Sequence, residues 1–383
     1  MKCIACNSEN ISELIEIKNI PVFCNVLHDS FDSAKKAAKG DISLSYCNDC
    51  GHVYNSSFDS KLMEYDQEYE NSLHFSKVFQ QYAENLSDYL IDKYNVRNKK
   101  VIDIGCGKGD FLNIICNSGN NKGFGFDKSY VPKHNSEKVT FIQDFFTDKY
   151  SDYDADLILC RQVLEHIEEP TGFLKSFESA IRSKESAVVF FEVPNAMYTI
   201  KELGIWDLIY EHCSYYTHSS LSRLFNKNGY KILDLKEQFS GQYLSIELTP
   251  AESGYDEKHQ LPDKPAEELI NNFRNAYNEK VGFWENKLQK LKNENRKVVV
   301  WSAGSKGITF LNLMDKEKYI QNVVDVSPQK QGKFVPVSSQ EVIPPDLLIK
   351  IKPDTVIIMN PVYEKEIKST LNGLGLTPEI LSA

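Results

Sequence analysis

Val101-Ile-Asp-Ile-Gly-Cys-Gly-Lys-Gly-Asp-Phe-Leu112 is the stretch around which the fold of this chain is organised. Its first four residues are typical of a buried strand, three glycines follow, and apolar residues then recur at helical spacing. The pattern predicts a parallel strand, a tight turn and a helix N-terminus, where α/β sheets commonly bind nucleotide-like ligands. Gly105 and Gly107 would let the backbone approach such a ligand closely, because a side chain would block it.

The next segment predicts a second strand that ends in a carboxylate. Gly123-Phe-Gly-Phe-Asp127 places Asp127 22 residues after Gly105, about where a ribose diol would be held. The glycine spacing is G-x-G-x-G, whereas the dinucleotide fingerprint is G-x-G-x-x-G. The turn also lacks the Lys-Ser/Thr ending of a phosphate-binding loop. A nicotinamide-binding unit remains the alternative at this point.

With this turn and two acids in order, the sequence resembles the class I S-adenosylmethionine-dependent methyltransferases. In that family the glycine turn receives the methionine part, and the acid that ends the second strand receives the ribose. Asp144 and Phe145, which follow the apolar run Val139–Ile142, would then hold the adenine. The resemblance implies a cofactor-binding set of Asp103, Gly105, Cys106, Gly107, Asp127, Lys128, Asp144, Phe145 and Arg161.

Length and composition restrict the other possibilities. The 383 residues are enough for two or three domains, and 41% hydrophobic with 26% charged residues is ordinary for a globular protein. No apolar run has membrane-spanning length, and nine cysteines without a secretion signal favour reduced thiols and the cytoplasm. The net charge of −10 argues against nucleic acid and favours a small-molecule substrate. We expect a monomer or a homodimer.

Two cysteine pairs lie in the N-terminal part. Cys3-Ile-Ala-Cys6 and Cys47-Asn-Asp-Cys50 form a paired C-x2-C pattern, which predicts a closed, structural zinc site. The long gap between the pairs requires an inserted substructure. Cys24 is a spare ligand or, as we expect, a core residue, and we place His52 beside the site or at the surface.

The segment between this module and the sheet predicts a connector that covers the cofactor site. Tyr65 and Tyr69 lie in polar surroundings, and a helical apolar stripe begins at Val78. The tyrosines either face the cofactor or pack at the helix end.

The predicted sheet continues through two more strands and an antiparallel pair. Asp156–Cys160 is a strand, with Arg161 facing the crevice at its carboxyl end. Val163–Ile167 should begin a helix that ends at Pro170. His166 on this helix either belongs to the active site or serves as a capping group. The remaining strands are predicted at Ala187–Pro194, Lys231–Leu235 and Tyr243–Leu248.

The loop Tyr210-Glu-His-Cys-Ser-Tyr-Tyr-Thr217 carries the most reactive groups. Histidine moves protons near neutral pH, and a neighbouring carboxylate raises its basicity. Tyrosines can donate hydrogen bonds to an oxyanion. The alternative is that His212 caps the following helix, predicted at Ser219–Phe225.

The C-terminal part predicts another βαβ unit after a long amphipathic helix. Lys297–Trp301 runs into Ser302-Ala-Gly-Ser-Lys-Gly307, and a later strand, Ile320–Val326, carries Asp325. A third strand is predicted at Pro353–Met359. The turn at Gly304 and Gly307 either binds a nucleotide-type group or is needed only for close packing.

The order of these parts resembles the sugar C-methyltransferases, which act on nucleotide-linked 4-keto sugars. By this resemblance His212 is the general base, Glu211 is its partner, and Tyr210 and His166 line the pocket. The chain departs from the family pattern at Ile209, where a tyrosine is usual, and at Gly241-Gln-Tyr, where Gly-Gly-Ser is usual. The resemblance rests on the four cysteines, Asp103–Gly107, Val163–Ile167, Glu192–Asn195, Glu211-His212 with Ser214-Tyr215, Ala303–Gly307, and Asp325 with Lys330–Lys333.

We therefore predict an α/β protein with a Rossmann-like class I methyltransferase sheet, an N-terminal zinc-binding module and a C-terminal Rossmann-like α/β domain. The expected boundaries are 1–60 for the zinc module, 61–97 for the connector, 98–250 for the S-adenosylmethionine-binding domain and 251–383 for the C-terminal domain. The predicted activity is C-methylation beside the ketone of a nucleotide-linked sugar. The alternatives are O-methylation of a sugar or small metabolite, and a non-catalytic cofactor-binding scaffold.

Overall fold

A computed structural model describes residues 2–63, 73–130, 137–150, 152–176, 187–251 and 264–383. Within these ranges the strands form three sheets, of four, seven and five strands. The N-terminal, middle and C-terminal parts of the chain each contain one of these sheets. Tyr65 and Tyr69 lie outside the described residues. Among the described helices, none has both the length and the apolar character needed to cross a membrane.

The first sheet belongs to the N-terminal part but takes its last strand from the middle of the chain. Its elements are β1 (Ile11–Pro21), α1 (Phe31–Lys35), β2 (Lys39–Cys47), β3 (Val53–Asn55) and β9 (Ser214–Tyr215). The order is β1-β2-β3-β9, and all neighbours are antiparallel. β1, α1 and β2 are the substructure inserted between the two cysteine pairs.

The second sheet is the predicted methyltransferase sheet. Its strands and flanking helices are α2 (Lys77–Tyr94), β4 (Lys100–Ile104), α3 (Asp110–Gly119), β5 (Lys122–Phe126), β6 (Val139–Ile142), β7 (Leu157–Arg161), α4 (Pro170–Ser176), β8 (Val188–Pro194), α5 (Ala196–Lys201), α6 (His218–Lys227), β10 (Tyr230–Gln238) and β11 (Tyr243–Pro250). The order is β10-β11-β8-β7-β4-β5-β6. β4 to β8 are parallel, and β11 pairs antiparallel with both β8 and β10. The predicted fold class is confirmed.

The third sheet forms the C-terminal domain and is parallel throughout. Its elements are α7 (Lys264–Asn293), β12 (Val298–Trp301), α8 (Ser305–Met314), β13 (Asn322–Val324), β14 (Glu341–Ile343), α9 (Leu348–Ile351), β15 (Thr355–Ile358), α10 (Glu364–Gly373) and β16 (Glu379–Ser382). The order is β14-β13-β12-β15-β16. Sequence patterning missed β14 and β16, which are three and four residues long.

One local prediction, a helix that begins at Val163 and ends at Pro170, was wrong. Leu164–His166 is a short 3-10 helix, and Pro170 opens α4 instead of closing a helix. Proline fits the first turn of a helix because a backbone N–H at that position would have no partner within the helix, so its absence costs nothing. His52 is fully buried, and its main-chain oxygen accepts a hydrogen bond from the Cys47 amide at 2.9 Å. Of the two predicted positions, it therefore occupies the one beside the cysteine site, where its Nε2 lies 3.2 Å from the Ser214 hydroxyl.

The N-terminal and C-terminal parts share one apolar core. Residues of β1 and β2 pack with Trp206 and with residues of α7 and α8 in a single cluster. The Trp206 ring meets Phe310 edge-on at 4.9 Å, and Phe310 meets Trp284 at 5.1 Å. Cys24 belongs to this cluster, as expected for a core residue. This packing holds the C-terminal domain next to the middle sheet.

Candidate active site

The glycine turn between β4 and α3 has the backbone that the sequence predicted. Gly105, Gly107 and Gly109 have φ of 70°, 55° and 83°, a region that side chains disfavour. A Cβ on Gly105 would lie 2.2 Å from Val163, and one on Gly109 would lie 2.3 Å from the Phe141 ring. The turn leads directly into α3, whose N-cap is Gly109. It leaves a concave space that a ligand could fill.

Asp127 ends β5 and holds this turn. One carboxylate oxygen accepts a hydrogen bond from the Gly107 amide at 2.8 Å. The other accepts from the amide and the hydroxyl of Ser129, both at 2.7 Å. The acid therefore lies against the turn, and its contact with a ribose stays a prediction.

The residues predicted to hold the adenine lie near the same end of the sheet but outside the main cavity. Asp144 accepts hydrogen bonds of 2.6 Å from Lys149 and Tyr150. The Lys149 contact lowers the pKa of Asp144 to about 2. Phe145 is 58% exposed, and the Lys128 ammonium lies 5.3 Å from its ring centre. This exposed aromatic ring, which follows β6, leaves room for a flat ligand.

Arg161 belongs to a buried network at the end of β7. Its Nε and Nη2 donate to Glu192 Oε1 at 3.2 and 2.8 Å, and its guanidinium stacks 4.1 Å from the Phe111 ring centre. The Tyr82 hydroxyl donates to the other oxygen of Glu192. Asp103 lies nearby, and burial raises its pKa to about 7. Arg161 and Asp103 both line the cavity described next.

One large cavity opens between the middle sheet and the C-terminal domain. Its volume is about 360 Å³. The middle domain contributes Asp103, Gly105, Cys106 and Gly107 together with Arg161, Glu165, His166 and His212. The C-terminal domain contributes the wall opposite, which includes Trp301, Gly304, Ser305, Lys306, Asp325, Asn360, Tyr363 and Glu366. The second glycine turn thus faces the same space as the first.

Polar contacts join the two walls of the cavity. Lys306 forms an ion pair with Asp207 at 3.0 Å and donates to Gln242 at 2.8 Å. Glu366 accepts from the hydroxyl of Ser76 at 2.6 Å, just before α2. The C-terminal domain is therefore tied to both sides of the cavity mouth.

A pair of histidines lies in the cavity wall. The rings of His166 and His212 are 4.9 Å apart and nearly perpendicular. His166 Nδ1 lies 3.0 Å from the main-chain oxygen of Glu211. Burial lowers the pKa of His166 to about 4 and that of His212 well below its usual value. Both imidazoles are therefore neutral at pH 7, the state in which histidine can accept a proton.

The side chains of Glu211 and Tyr210 turn away from this pair, towards the N-terminal module. A Glu211 oxygen accepts from the Cys24 amide at 3.0 Å. The Tyr210 hydroxyl accepts from the Asp59 amide at 2.8 Å, and neither residue lines the cavity. The carboxyl that accompanies the histidines is Glu165, and burial raises its pKa to about 8. Glu165 belongs to the Val163–Ile167 motif, but local spacing does not tell which way its side chain faces.

The N-terminal module holds the loop that carries His212. β9 is hydrogen-bonded to β3, and the Asn55 amide donates to the main-chain oxygen of Cys213 at 3.0 Å. These bonds lie directly after His212 in the chain. The position of the histidine thus depends on a sheet formed mainly by residues before position 60.

The four predicted cysteine ligands come together at the edge of this sheet. Cys3 and Cys50 have their sulfur atoms 3.6 Å apart, as do Cys6 and Cys47. All four sulfur atoms lie within 4.8 Å of one another. A disulfide needs about 2.05 Å, whereas a tetrahedron with bonds of about 2.3 Å has edges of about 3.8 Å. The donor set and its spacing fit a four-coordinate metal ion.

Comparison with known proteins divides the chain in the same way. Residues 74–235 match the family described as "Methyltransferase domain", and residues 266–375 match "C-methyltransferase C-terminal domain". Among curated proteins, "Ubiquinone biosynthesis O-methyltransferase" of Actinobacillus pleuropneumoniae serotype 7 (strain AP76) is 30% identical over 123 residues, and the match covers 28% of this chain and 51% of that protein. The enzyme of the same name from Rickettsia felis (strain ATCC VR-1525 / URRWXCal2) is 26% identical over 115 residues, 27% of this chain and 47% of that protein. The chain therefore spans about half the length of the curated relatives it matches.

Solved methyltransferase structures match a part of the chain. Magnesium protoporphyrin IX methyltransferase from Synechocystis PCC 6803, with S-adenosylhomocysteine bound, is 16% identical with a TM-score of 0.34. That match covers 45% of this chain and 84% of the other. The chain therefore has a Rossmann-like α/β methyltransferase fold, with similarity to a methyltransferase domain over residues 74–235 and to a C-methyltransferase C-terminal domain over residues 266–375.

Proposed function

We propose that this protein transfers a methyl group from S-adenosylmethionine to the carbon beside a ketone, in a sugar linked to a nucleotide. One observation carries the proposal. The half-buried, neutral histidine pair lies in a cavity lined on one side by the methyltransferase domain and on the other by the C-methyltransferase C-terminal domain.

The cofactor end of the cavity is the glycine turn. S-adenosylmethionine carries its electrophilic methyl group on a sulfonium sulfur. When the methyl group is transferred, this sulfur is the leaving group. Asp103 and the turn Gly105–Gly107 would hold the methionine part, and Asp127 the ribose diol. Lys128, Asp144 and Phe145 would line the space that the adenine occupies. Arg161, held by Glu192, would position the methionine end through its charge and its fixed orientation.

The reacting end is the histidine pair. His212 would remove the proton from the carbon beside the ketone, and the resulting enolate oxygen would need hydrogen-bond donors. Tyr243 and Tyr363 line the cavity, and burial raises the pKa of Tyr243 well above its usual value, so its hydroxyl stays protonated. These two tyrosines are better placed for this role than Tyr210. Glu211 would act on His212 indirectly, by fixing the loop through Cys24.

The nucleotide end would lie at the second glycine turn. Gly304, Ser305 and Lys306 begin α8 and line the cavity. A diphosphate is favoured at a helix N-terminus with a lysine beside it. The ammonium of Lys306 would have to exchange its Asp207 partner for the phosphate. This wall supports a nucleotide-linked substrate.

The four cysteines would hold one zinc ion with a structural role. Four thiolates leave no open position for water or substrate. The ion would stabilise the sheet to which β9 belongs, and through it the loop of His212.

O-methylation of a sugar or small metabolite is the second candidate. The curated relatives, which match about 28% of this chain, are named O-methyltransferases, and this favours O-methylation. A hydroxyl proton exchanges with water without help, whereas a carbon-bound proton requires a base and a stabilised carbanion. The two reactions can therefore be separated by following the carbon-bound proton.

The test uses the full chain with S-adenosylhomocysteine and a nucleotide-linked 4-keto sugar in deuterated water. We expect deuterium at the carbon beside the ketone, and we expect His212→Gln to abolish the exchange while keeping S-adenosylhomocysteine affinity. His218→Gln, on the helix after the loop, is the control and should exchange normally. Exchange that persists in His212→Gln would transfer the base role to His166. Wild-type protein that shows no exchange but methylates oxygen would refute C-methylation.

A further inference from the structure

We propose that Glu165, His166 and His212 form a binding site for a divalent transition-metal ion, distinct from the four-cysteine site. One donor atom from each of the three residues lies within 4.8 Å of the other two. Metal–nitrogen bonds of about 2.1 Å place tetrahedral ligands about 3.4 Å apart, which small side-chain rotations could reach. The three residues come from two segments about 45 positions apart in the chain, so the fold, not local sequence, assembles the set.

One of the histidines is already oriented as a ligand. A carbonyl oxygen only accepts hydrogen bonds, so His166 Nδ1 carries the proton in its contact with the Glu211 main chain at 3.0 Å. The lone pair is then on Nε2. Metal-binding histidines commonly donate their other ring N–H to a carbonyl or a carboxylate in this way.

The other two residues have buried polar atoms for which no partner is found among the described residues. Glu165 is only 1% exposed, and its Oε2 has no hydrogen bond within that part of the chain. The same holds for Nδ1 of His212. An unpaired buried polar atom costs free energy, and a carboxylate costs more than a neutral group. A cation between them would satisfy both atoms.

The donor set also indicates the kind of ion and its coordination. Two imidazoles and one carboxylate suit zinc, cobalt, nickel or iron better than magnesium or calcium, which prefer oxygen ligands. All three residues line the cavity. Three protein ligands leave at least one position open towards the cavity, whereas the four-cysteine site is closed. An oxygen of a carbonyl or hydroxyl substrate could occupy that position.

Metal binding does not depend on the proposed methylation, but it affects it. A histidine nitrogen that binds a metal ion cannot accept a proton. A bound ion would therefore suppress deuterium exchange that uses His212 as the base. This gives the second site a measurable effect on the proposed function.

The test is a cobalt titration of the full-length, metal-depleted protein, followed by absorption spectroscopy. We expect two cobalt ions per chain, of which one has thiolate charge-transfer bands and the other only ligand-field bands. Glu165→Gln and His166→Gln should each bind a single ion and keep the thiolate bands, which also show that the N-terminal module is folded. Glu168→Gln, from the same segment, should still bind two.

One cobalt per wild-type chain, or a second ion retained in both variants, would overturn the site. A second ion that suppresses deuterium exchange would support both proposals. A second ion that is required for exchange would support the metal site and refute His212 as the base. A single ion, with exchange that is lost in His212→Gln, would refute the metal site and leave the proposed function intact.

Discussion

Replacing Glu192 with glutamine should destabilise the protein by about 3 kcal/mol. Glu192 is 1% exposed, and its carboxylate accepts two hydrogen bonds from Arg161, at 3.2 and 2.8 Å, and one from Tyr82. The Arg161 side chain is 11% exposed, so its charge has little access to water. Removing one partner of a buried ion pair costs about 3–5 kcal/mol. The amide oxygen of glutamine can still accept a hydrogen bond, so we expect a loss of stability near the lower end of this range.

Urea unfolding followed by circular dichroism measures this loss. The control is Glu202→Gln, which removes an exposed ion pair with Lys201 at 3.7 Å and should change stability by less than about 1 kcal/mol. A double variant, Glu192→Leu with Arg161→Met, should lose less than the sum of the two single changes, because no buried charge is then left alone. If Glu192→Gln lowered the free energy of unfolding by no more than the control does, the inference that Arg161 is shielded from water and depends on Glu192 would be refuted.

Three further predictions concern the metal, the cofactor and pH. We expect elemental analysis to find one zinc ion per wild-type chain and little in Cys47→Ser, because three thiolates hold the ion less well than four; zinc-free wild-type protein would contradict this. Asp127→Ala removes an acceptor for the ribose and for the Gly107 amide, so calorimetry should show S-adenosylhomocysteine binding weakened by about 2–3 kcal/mol, and unchanged affinity would argue against the ribose role. Burial alone would raise the pKa of Glu247, but hydrogen bonds from Lys93 and from tyrosines outweigh this effect and lower the pKa. The ionised Glu247 therefore stabilises the fold above about pH 4.5, and this stabilisation is lost as the pH falls further. Glu247→Gln should therefore reduce the difference between urea midpoints at pH 6 and pH 3.5, and an unchanged difference would contradict the assignment.

The sequence by itself determined the parts of this protein that depend on neighbouring residues. The glycine turn, the acid at the end of β5 and the antiparallel pair β10–β11 follow from strand patterns, glycine positions and short spacings. Each of these features is built within some twenty-five residues, so local patterns contain the information. The cysteine pairs belong here too, because their spacing is a signal even across a long gap.

Only the tertiary structure decided which side chains meet in the cavity. Adjacent Glu211 and His212 suggested a catalytic pair, but the Glu211 carboxylate binds the Cys24 amide, 187 positions earlier, and Glu165 stands with the histidines instead. The direction of each side chain depends on packing between elements that are far apart in the chain. The same holds for Lys306, which reaches the cavity because the C-terminal domain packs against the N-terminal sheet and the middle domain. Sequence spacing names the groups available for chemistry, and long-range packing selects those that act together.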